Sequence, residues 1–116
     1  MANTIAVNSS VRNEAQFQGL FNDMWVVKAT ISDQDAIALT TVTEFDCTVP
    51  GLALGDMVVG LSSTVDLNDG ANEVLMNAYV STANTVTVQL MADEAEFAAD
   101  ALNGAVIKIL VGRPSW

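Results

Sequence analysis

The feature that most restricts this chain is a series of short segments in which apolar and polar residues alternate with a period of two. In residues 85–90, three aliphatic residues alternate with two threonines and a glutamine. Because successive side chains of a β-strand point to opposite faces, this pattern predicts a strand with one buried face. Similar alternation marks residues 25–31 and 44–49. We therefore expect the chain to consist mainly of short strands.

Turn-forming residues separate these segments. Pro50-Gly51 ends one predicted strand, since proline cannot donate to a strand ladder and glycine tolerates positive φ. Ala83-Asn84 separates residues 74–82 from the strand at 85–90, and two residues is the commonest spacing in a β-hairpin. Residues 105–111 are rich in branched side chains and predict a last buried strand.

These patterns predict an all-β, antiparallel domain of the β-sandwich or jelly-roll type, with an N-terminal arm and at most one or two short helices. A parallel sheet is disfavoured, because crossover helices of adequate length are missing between the strands. One short helix is expected at residues 93–102, where Asp93 and Glu96 resemble a capping box before a small apolar face.

The 116 residues are enough for one domain and too few for two. We expect residues 1–24 to form an N-terminal arm and residues 25–116 to form the sandwich. Residues 1–10 are small and polar, which is typical of an extended arm. Residues 11–24 are interpreted as a short helix or a wrapped arm, because four apolar residues recur at spacings of three and four: Phe17, Leu20, Phe21 and Met24.

Charge and composition exclude several classes of function. The chain is 51% hydrophobic and only 16% charged, and 14 acidic residues against 4 basic ones give a formal net charge of −10. Binding to nucleic acid or to an anionic membrane needs a basic surface, which Arg12, Lys28, Lys108 and Arg113 cannot supply. A chain so apolar and so lightly charged favours self-association or docking on a larger surface.

Residues that commonly carry chemistry are scarce. No histidine occurs, which removes the most frequent general base and the commonest metal ligand. Cys47 is the single cysteine, so no internal disulfide or cysteine metal cage can form, and we expect it to be a buried small hydrophobe. The N-terminus lacks the pattern of a secretory signal, and no apolar run is long enough for a membrane-spanning helix. We expect a soluble protein made in a cytoplasm.

Two acidic groups were weighed as sites. Residues 66–73 offer the oxygen ligands that calcium prefers, but Gly70 falls one position too early for an EF-hand loop, so we interpret them as a solvated turn. Glu44 and Asp46 would share a strand face that meets water, which is a poor setting for a hydrolase. No serine lies in a nucleophile elbow and no phosphate-binding glycine motif occurs. We predict no enzyme activity, and no catalytic, cofactor-binding or metal-binding residue.

From Thr41 onward the sequence contains a run of strand and turn motifs. A strand is closed by Val49-Pro50-Gly51, and a Gly55-Asp56 turn leads into a buried strand. A hairpin of the form A-x-V-S-x-A-N-T-V-T-V follows at residues 78–88, and residues 106–111 form the last strand. In these motifs, over about the last two-thirds of the chain, the sequence resembles small capsid decoration (cement), or head-fibre, proteins of tailed bacteriophages.

The resemblance implies a structural virion protein on the outer surface of the capsid, made in the host cytoplasm. Its partner would be the major capsid protein, whose neighbouring subunits it would bridge. A homotrimer suits such a lattice, because three identical chains on a three-fold axis meet three identical sites. We expect contact with the capsid or with a neighbouring subunit from apolar residues of the arm and the first strand: Ile5, Val7, Phe17, Leu20, Phe21 and Trp25.

An alternative hypothesis is a carbohydrate-binding or adhesive β-sandwich module of a viral fibre. Such a module needs exposed aromatic side chains beside polar ones, and Trp25 or Tyr79 would supply the platform. Core or interface packing is the other interpretation of these aromatic residues. A hydrolase using Glu44 or Asp46 is the third and least favoured hypothesis.

Overall fold

The structure is a computed structural model that describes residues 3–14, 20–39, 41–64, 68–69, 72–92 and 98–116. Strands and turns make up these ranges, and none of them is helical. In chain order the strands are β1 (Thr4–Glu14), β2 (Phe21–Asp33), β3 (Thr43–Thr48), β4 (Met57–Ser63), β5 (Asn68–Asp69), β6 (Asn72–Thr82), β7 (Thr85–Ala92) and β8 (Val106–Pro114).

The strands form two four-stranded sheets. The first sheet has the order β1-β2-β8-β4 and the second has the order β3-β7-β6-β5. Each pair of neighbouring strands is antiparallel. The predicted all-β, antiparallel fold of the β-sandwich type is confirmed.

The core draws on the inward faces of both sheets. β2 contributes Trp25, Val27, Ala29 and Ile31, each at most 1% exposed, as its period of two predicts. β3, β6, β7 and β8 add aliphatic residues and Phe45 to the same cluster, and Ile5 and Val7 of β1 and Val58 and Leu61 of β4 pack against it. Cys47 lies within this core, and its burial, helped by the charge of neighbouring Asp46, raises the pKa of the thiol to about 11. The expectation that this cysteine is a buried small hydrophobe is therefore confirmed.

The predicted hairpin joins β6 to β7 through Ala83-Asn84, and Thr82 pairs with Thr85 across it. Asn84 has φ 61°, a left-handed conformation that asparagine tolerates better than most residues. Its side-chain oxygen accepts a hydrogen bond of 2.8 Å from the amide of Gly51. The hairpin turn is thus tied to the turn that follows β3.

The N-terminal region differs from the sequence interpretation. Residues 4–14 form β1, which pairs with β2 along its length, and β2 begins at Phe21 and runs through the predicted boundary at residue 24. The predicted helix is wrong for residues 11–14 and 21–24, because pairing with a neighbouring strand satisfies their backbone groups more completely than an isolated short helix does. Phe17 lies outside the described residues.

The helix predicted at residues 93–102 is wrong over its described part, residues 98–102, which form turns. Asp100 has φ 63°, outside the helical region. The fully buried Gln34 holds these turns: its Nε2 donates to the carbonyl of Ala98 at 3.0 Å, and its Oε1 accepts from the amide of Leu102 at 2.8 Å. Hydrogen bonds from another segment therefore replace those of a helix. Residues 93–97 lie outside the described ranges.

Candidate functional site

Arg12 and Arg113 lie at one end of the sandwich, and both contact the ring of Trp25. The guanidinium carbons of Arg12 and Arg113 are 4.9 and 5.0 Å from the indole ring centre, within the range of cation–π contact. The indole N–H donates to the carbonyl of Pro50 at 3.2 Å. Arg12 also forms an ion pair with Asp23. We call this cluster the arginine end.

A partly buried ion pair completes the arginine end. Arg113 donates from Nε to Oδ1 of Asp56 at 2.9 Å and from Nη2 to Oδ2 at 3.0 Å, and Nη2 also reaches the carbonyl of Gly51 at 2.9 Å. The Asp56 side chain is 3% exposed and also accepts from the amide of Ala53. Burial alone would raise the pKa of Asp56, but these hydrogen bonds and the arginine charges outweigh it and hold the pKa below its ordinary value.

The two lysines lie elsewhere, on the outward face of the first sheet. Lys28 of β2 is directly opposite Lys108 of β8. Ser9 of β1 pairs with Lys28, and Ser62 of β4 pairs with Lys108. The four side chains thus form one row across the sheet, with neighbouring Cβ atoms about 5 Å apart. The ion pairs found among the described residues involve Arg12 and Arg113 and neither lysine.

An apolar row lies next to the lysines on the same face. Val11, Val26, Leu110 and Gly60 stand opposite one another across β1, β2, β8 and β4. The side chain of Val26 is 54% exposed and that of Val11 is 49% exposed. Residues of both rows line an open groove of about 570 Å³ beside Lys108. Gly60, which has no side chain, is part of this lining. We call the two rows together the lysine face.

The charge of the lysine face is opposite to that of the whole chain. The paired outward positions of the first sheet that the structure describes hold aliphatic, small polar and lysine residues, and no aspartate or glutamate. The full chain has 14 acidic residues and a net charge of −10. The face is therefore a local positive area on an acidic protein.

The outward face of the second sheet carries two hydrogen-bonded carboxylates, together with exposed apolar side chains such as Leu75, which is 55% exposed. Glu44 accepts from Nε2 of Gln89 at 3.0 Å and from the hydroxyl of Tyr79 at 3.4 Å. The Glu44 charge is the main reason that the pKa of Tyr79 is raised. Asp46 accepts from the hydroxyl of Thr87 at 2.7 Å. Both carboxylates therefore have partners on their own sheet, and we call this surface the acidic face.

Three of the sequence-predicted contact residues lie largely inside the fold. Ile5 and Val7 are half-buried and pack against the core from β1. Trp25 is 1% exposed. Its ring is therefore inaccessible and can form neither an adhesive surface nor a sugar platform in this fold.

Two further predicted contact residues lie at the start of β2. Leu20 is 56% exposed. Phe21 is half-buried, and its ring centre lies 6.0 Å from that of Trp116. Of the predicted set, the structure therefore leaves Leu20 the most open to a partner, while Phe17 is outside the described residues. The contact roles of the set stay predictions.

Sequence reasoning missed the lysine face. From the sequence, Lys28 and Lys108 are too few to make a basic surface, and either one alone is weak support for a lysine-assisted serine nucleophile. A signal was present, because each lysine stands between two aliphatic residues of a predicted strand and so occupies an outward position. What the sequence did not show is that these two strands are neighbours.

The described residues contain no group of three or more acidic, cysteine or histidine side chains that could hold a metal ion. Of the acidic loop at residues 66–73, the described pairs are Asn68–Asp69 with Asn72–Glu73, which form a short antiparallel ladder. Within the same coverage, the structure has no helix long and apolar enough to cross a membrane.

We compared the chain with protein-family models, with curated proteins and with solved structures. None of the three comparisons found a match. Function is therefore inferred from the surfaces described above, together with the motifs of residues 41–111.

Proposed function

We propose that this chain is a structural virion protein that decorates the outer surface of a tailed-bacteriophage capsid and bridges neighbouring major capsid subunits as a homotrimer. The observation that carries the proposal is the lysine face, where Val11 and Val26 are about half exposed on the side of the sheet away from the core. Exposed apolar side chains in one row are typical of a surface that binds another protein.

The motifs of the resemblance support the same proposal through rigidity. The Pro50-Gly51 and Gly55-Asp56 turns meet at Arg113, which binds the carbonyl of Gly51 and the carboxylate of Asp56. Asn84 of the hairpin binds the amide of Gly51. Three turns are thus fixed to one another and to the last strand, as suits a protein that works by holding its shape.

Repeated contacts on a lattice would provide the stabilisation. A copy that touches two capsid subunits binds the assembled shell better than it binds free subunits, and it therefore stabilises the shell by mass action. Modest contacts are sufficient, because a trimer engages several sites at once and gains from effective concentration.

The proposal is tested with phage heads that lack this protein, prepared by deleting its gene. Purified protein is added, and occupancy is measured by sedimentation of the heads. We expect saturable binding, a trimer in sedimentation equilibrium and heads that withstand higher temperature once decorated. A protein that stays in the supernatant at every concentration would contradict the proposal.

The predicted contact at the start of β2 has its own test in the same assay. Leu20→Asp places a charge on an exposed side chain, and we expect it to lower occupancy of the heads without altering the unfolding transition. The matched control is Leu54→Asp, since Leu54 is 72% exposed in a loop remote in sequence. Equal occupancy for both variants would remove Leu20 from the contact.

A carbohydrate-binding module is the second candidate, favoured by one observation on the acidic face. Tyr79 is 42% exposed and lies beside Glu44, with Gln89 bound to both Glu44 and Asn77. An exposed aromatic ring among polar side chains is what a sugar platform requires. Glycan binding that disappears in Tyr79→Ala, while binding to phage heads is retained, would favour this function.

A further inference from the structure

We propose that the lysine face is the surface that meets the capsid, and that its partner there is a carboxylate-bearing protein surface, with aspartate or glutamate side chains of the major capsid subunit paired to Lys28 and Lys108. This inference rests on the proposed function. It adds the orientation of the protein on the shell and the chemistry of its partner.

The lysine pair lowers the stability of the isolated protein. Like charges directly opposite each other on neighbouring strands are destabilising, and Lys28 and Lys108 are in direct register. The described residues offer neither lysine an ion-pair partner. A carboxylate from outside would remove the repulsion and gain two charge-assisted hydrogen bonds.

The surface around the pair leaves room for a side chain of a partner. Ser9 and Ser62 flank the lysines, and Gly60 stands opposite Leu110 in the next row. Short side chains beside long ones leave an open groove that both lysines help to line. A side chain that projects from a partner protein fits such a groove, and the exposed Val26 beside it offers the apolar contact that a protein surface can match.

The small number of positive charges on the lysine face favours a protein partner over a polyanion. A duplex or an anionic membrane is held by many positive charges at once, and this face has two on a protein of net charge −10. Long-range repulsion therefore acts against an extended polyanion, whereas a few fixed carboxylates next to apolar side chains need only short-range complementarity.

Charge and symmetry favour the capsid over a second copy of this chain as the partner of the lysine face. Two lysine faces in contact would bring four lysines together, which electrostatics opposes. Contact between the lysine face of one copy and the acidic face of the next would use opposite sides of the sandwich, which produces an open stack instead of a closed trimer. Glu44 and Asp46 also have hydrogen-bond partners on their own sheet.

The main experiment measures binding to the decoration-free heads for wild type, for the double variant Lys28→Glu with Lys108→Glu, and for the matched control Lys28→Arg with Lys108→Arg. We expect charge reversal to weaken binding by about tenfold or more and the arginine control to stay within about threefold of wild type. Circular dichroism confirms that each variant is folded.

The results of this experiment separate failure of the lysine-face proposal from failure of the capsid-decoration proposal. Wild-type protein that does not bind the heads overturns both. Wild-type protein that binds, together with a charge-reversed variant that binds equally well, overturns the lysine face and leaves capsid decoration standing. Binding of wild type to double-stranded DNA or to phosphatidylglycerol vesicles at physiological salt, lost on charge reversal, would overturn the choice of a protein partner.

A second measurement identifies the partner group directly. A carbodiimide joins a lysine amine to a carboxylate in contact with it as an amide and takes up the water as its urea. Decorated heads treated in this way are digested and analysed by mass spectrometry. We expect amide cross-links from Lys28 or Lys108 to aspartate or glutamate of the major capsid protein. Cross-links to Glu44 or Asp46 of another copy, with none to the capsid, would overturn the assignment.

Discussion

The two arginines and the two lysines of this chain lie on the same sheet but differ in whether their charges have partners within the fold. Arg113 makes three hydrogen bonds and stacks on Trp25, and Arg12 also contacts the ring and pairs with Asp23. Lys28 and Lys108 face each other across β2 and β8 with short polar neighbours. The arginines hold the fold together, whereas the lysines are placed at some cost to it.

This difference separates charged residues that stabilise the fold from charged residues that are available to a partner. Groups whose charge and hydrogen bonds are satisfied internally serve the fold, and places where a local rule is broken without compensation point to function. The lysine pair breaks the rule on like charges across strands.

The largest effect is expected at the arginine end from Trp25→Ala. Removing a fully buried indole leaves a cavity and deprives both arginines of their stacking partner, so unfolding in urea should require about 3 to 5 kcal/mol less free energy. Trp25→Phe, which keeps most of the volume and loses the hydrogen bond to Pro50, is the control and should lose less. A cost below about 1 kcal/mol for alanine would show that this end does not hold the fold.

Asp56→Asn should cost about 2 to 3 kcal/mol at pH 7, because it leaves the Arg113 charge without its partner. The folded-state pKa of Asp56 lies below its ordinary value of 3.8. Its stabilising contribution is therefore present above that ordinary value and is lost as pH falls through the folded-state pKa.

Urea unfolding at pH 7 and at successively lower pH checks this prediction. The gap between wild type and Asp56→Asn should narrow in acid, as Asp56 of wild type becomes protonated. Glu44→Gln, which neutralises an acid on the exposed acidic face, is the control and should change stability little at either pH. A gap that stays constant with pH would contradict the prediction.

Two glycines of β4 and β8 should respond differently to alanine. A Cβ at Gly112 would lie 2.5 Å from the Phe21 ring, so Gly112→Ala forces that ring to move and should cost about 1 to 2 kcal/mol. A Cβ at Gly60 would lie 3.6 Å from Leu110, an ordinary contact, and Gly60→Ala should be neutral or slightly stabilising. Thermal unfolding of both variants measures the contrast, and equal losses would contradict it.

The smallest effect is expected from the lysines. Lys28→Gln combined with Lys108→Gln should leave the free energy of unfolding unchanged or raise it by up to about 0.5 kcal/mol, since a repulsion is removed. The gain should shrink in 0.5 M salt through screening. Chemical unfolding at low and high salt measures it. A loss above about 1 kcal/mol would mean that the lysines support the fold as the arginines do.

Much of the sandwich could be predicted from sequence, because apolar and polar residues alternate over long stretches of its central strands. The hairpin at Ala83-Asn84 was predictable for a local reason, since two residues separate two strands and asparagine accepts the positive φ that the turn needs. Strand β1 was not predicted as part of a sheet. An edge strand with few apolar residues gains its structure from its neighbour, and the sequence alone does not name that neighbour.

The candidate site was less accessible to sequence reasoning. Lys28 and Lys108 are far apart along the chain, and only the antiparallel register of β2 with β8 brings them together. The arginine end depends in the same way on a meeting of distant turns, so Trp25 was expected at a contact surface and lies in the core. The helix expected at residues 98–102 failed because Gln34, from another segment, supplies the hydrogen bonds there.

We have proposed that the protein attaches to a capsid through the first sheet. The decisive measurement is a cryo-electron microscopy map of the phage particle proposed to carry this protein. We predict density for the sandwich outside the shell, at three-fold or quasi-three-fold positions, with β2 and β8 facing the capsid and carboxylates next to Lys28 and Lys108. A particle without such density, or one in which β3, β7 and β6 face the shell, would contradict the claim.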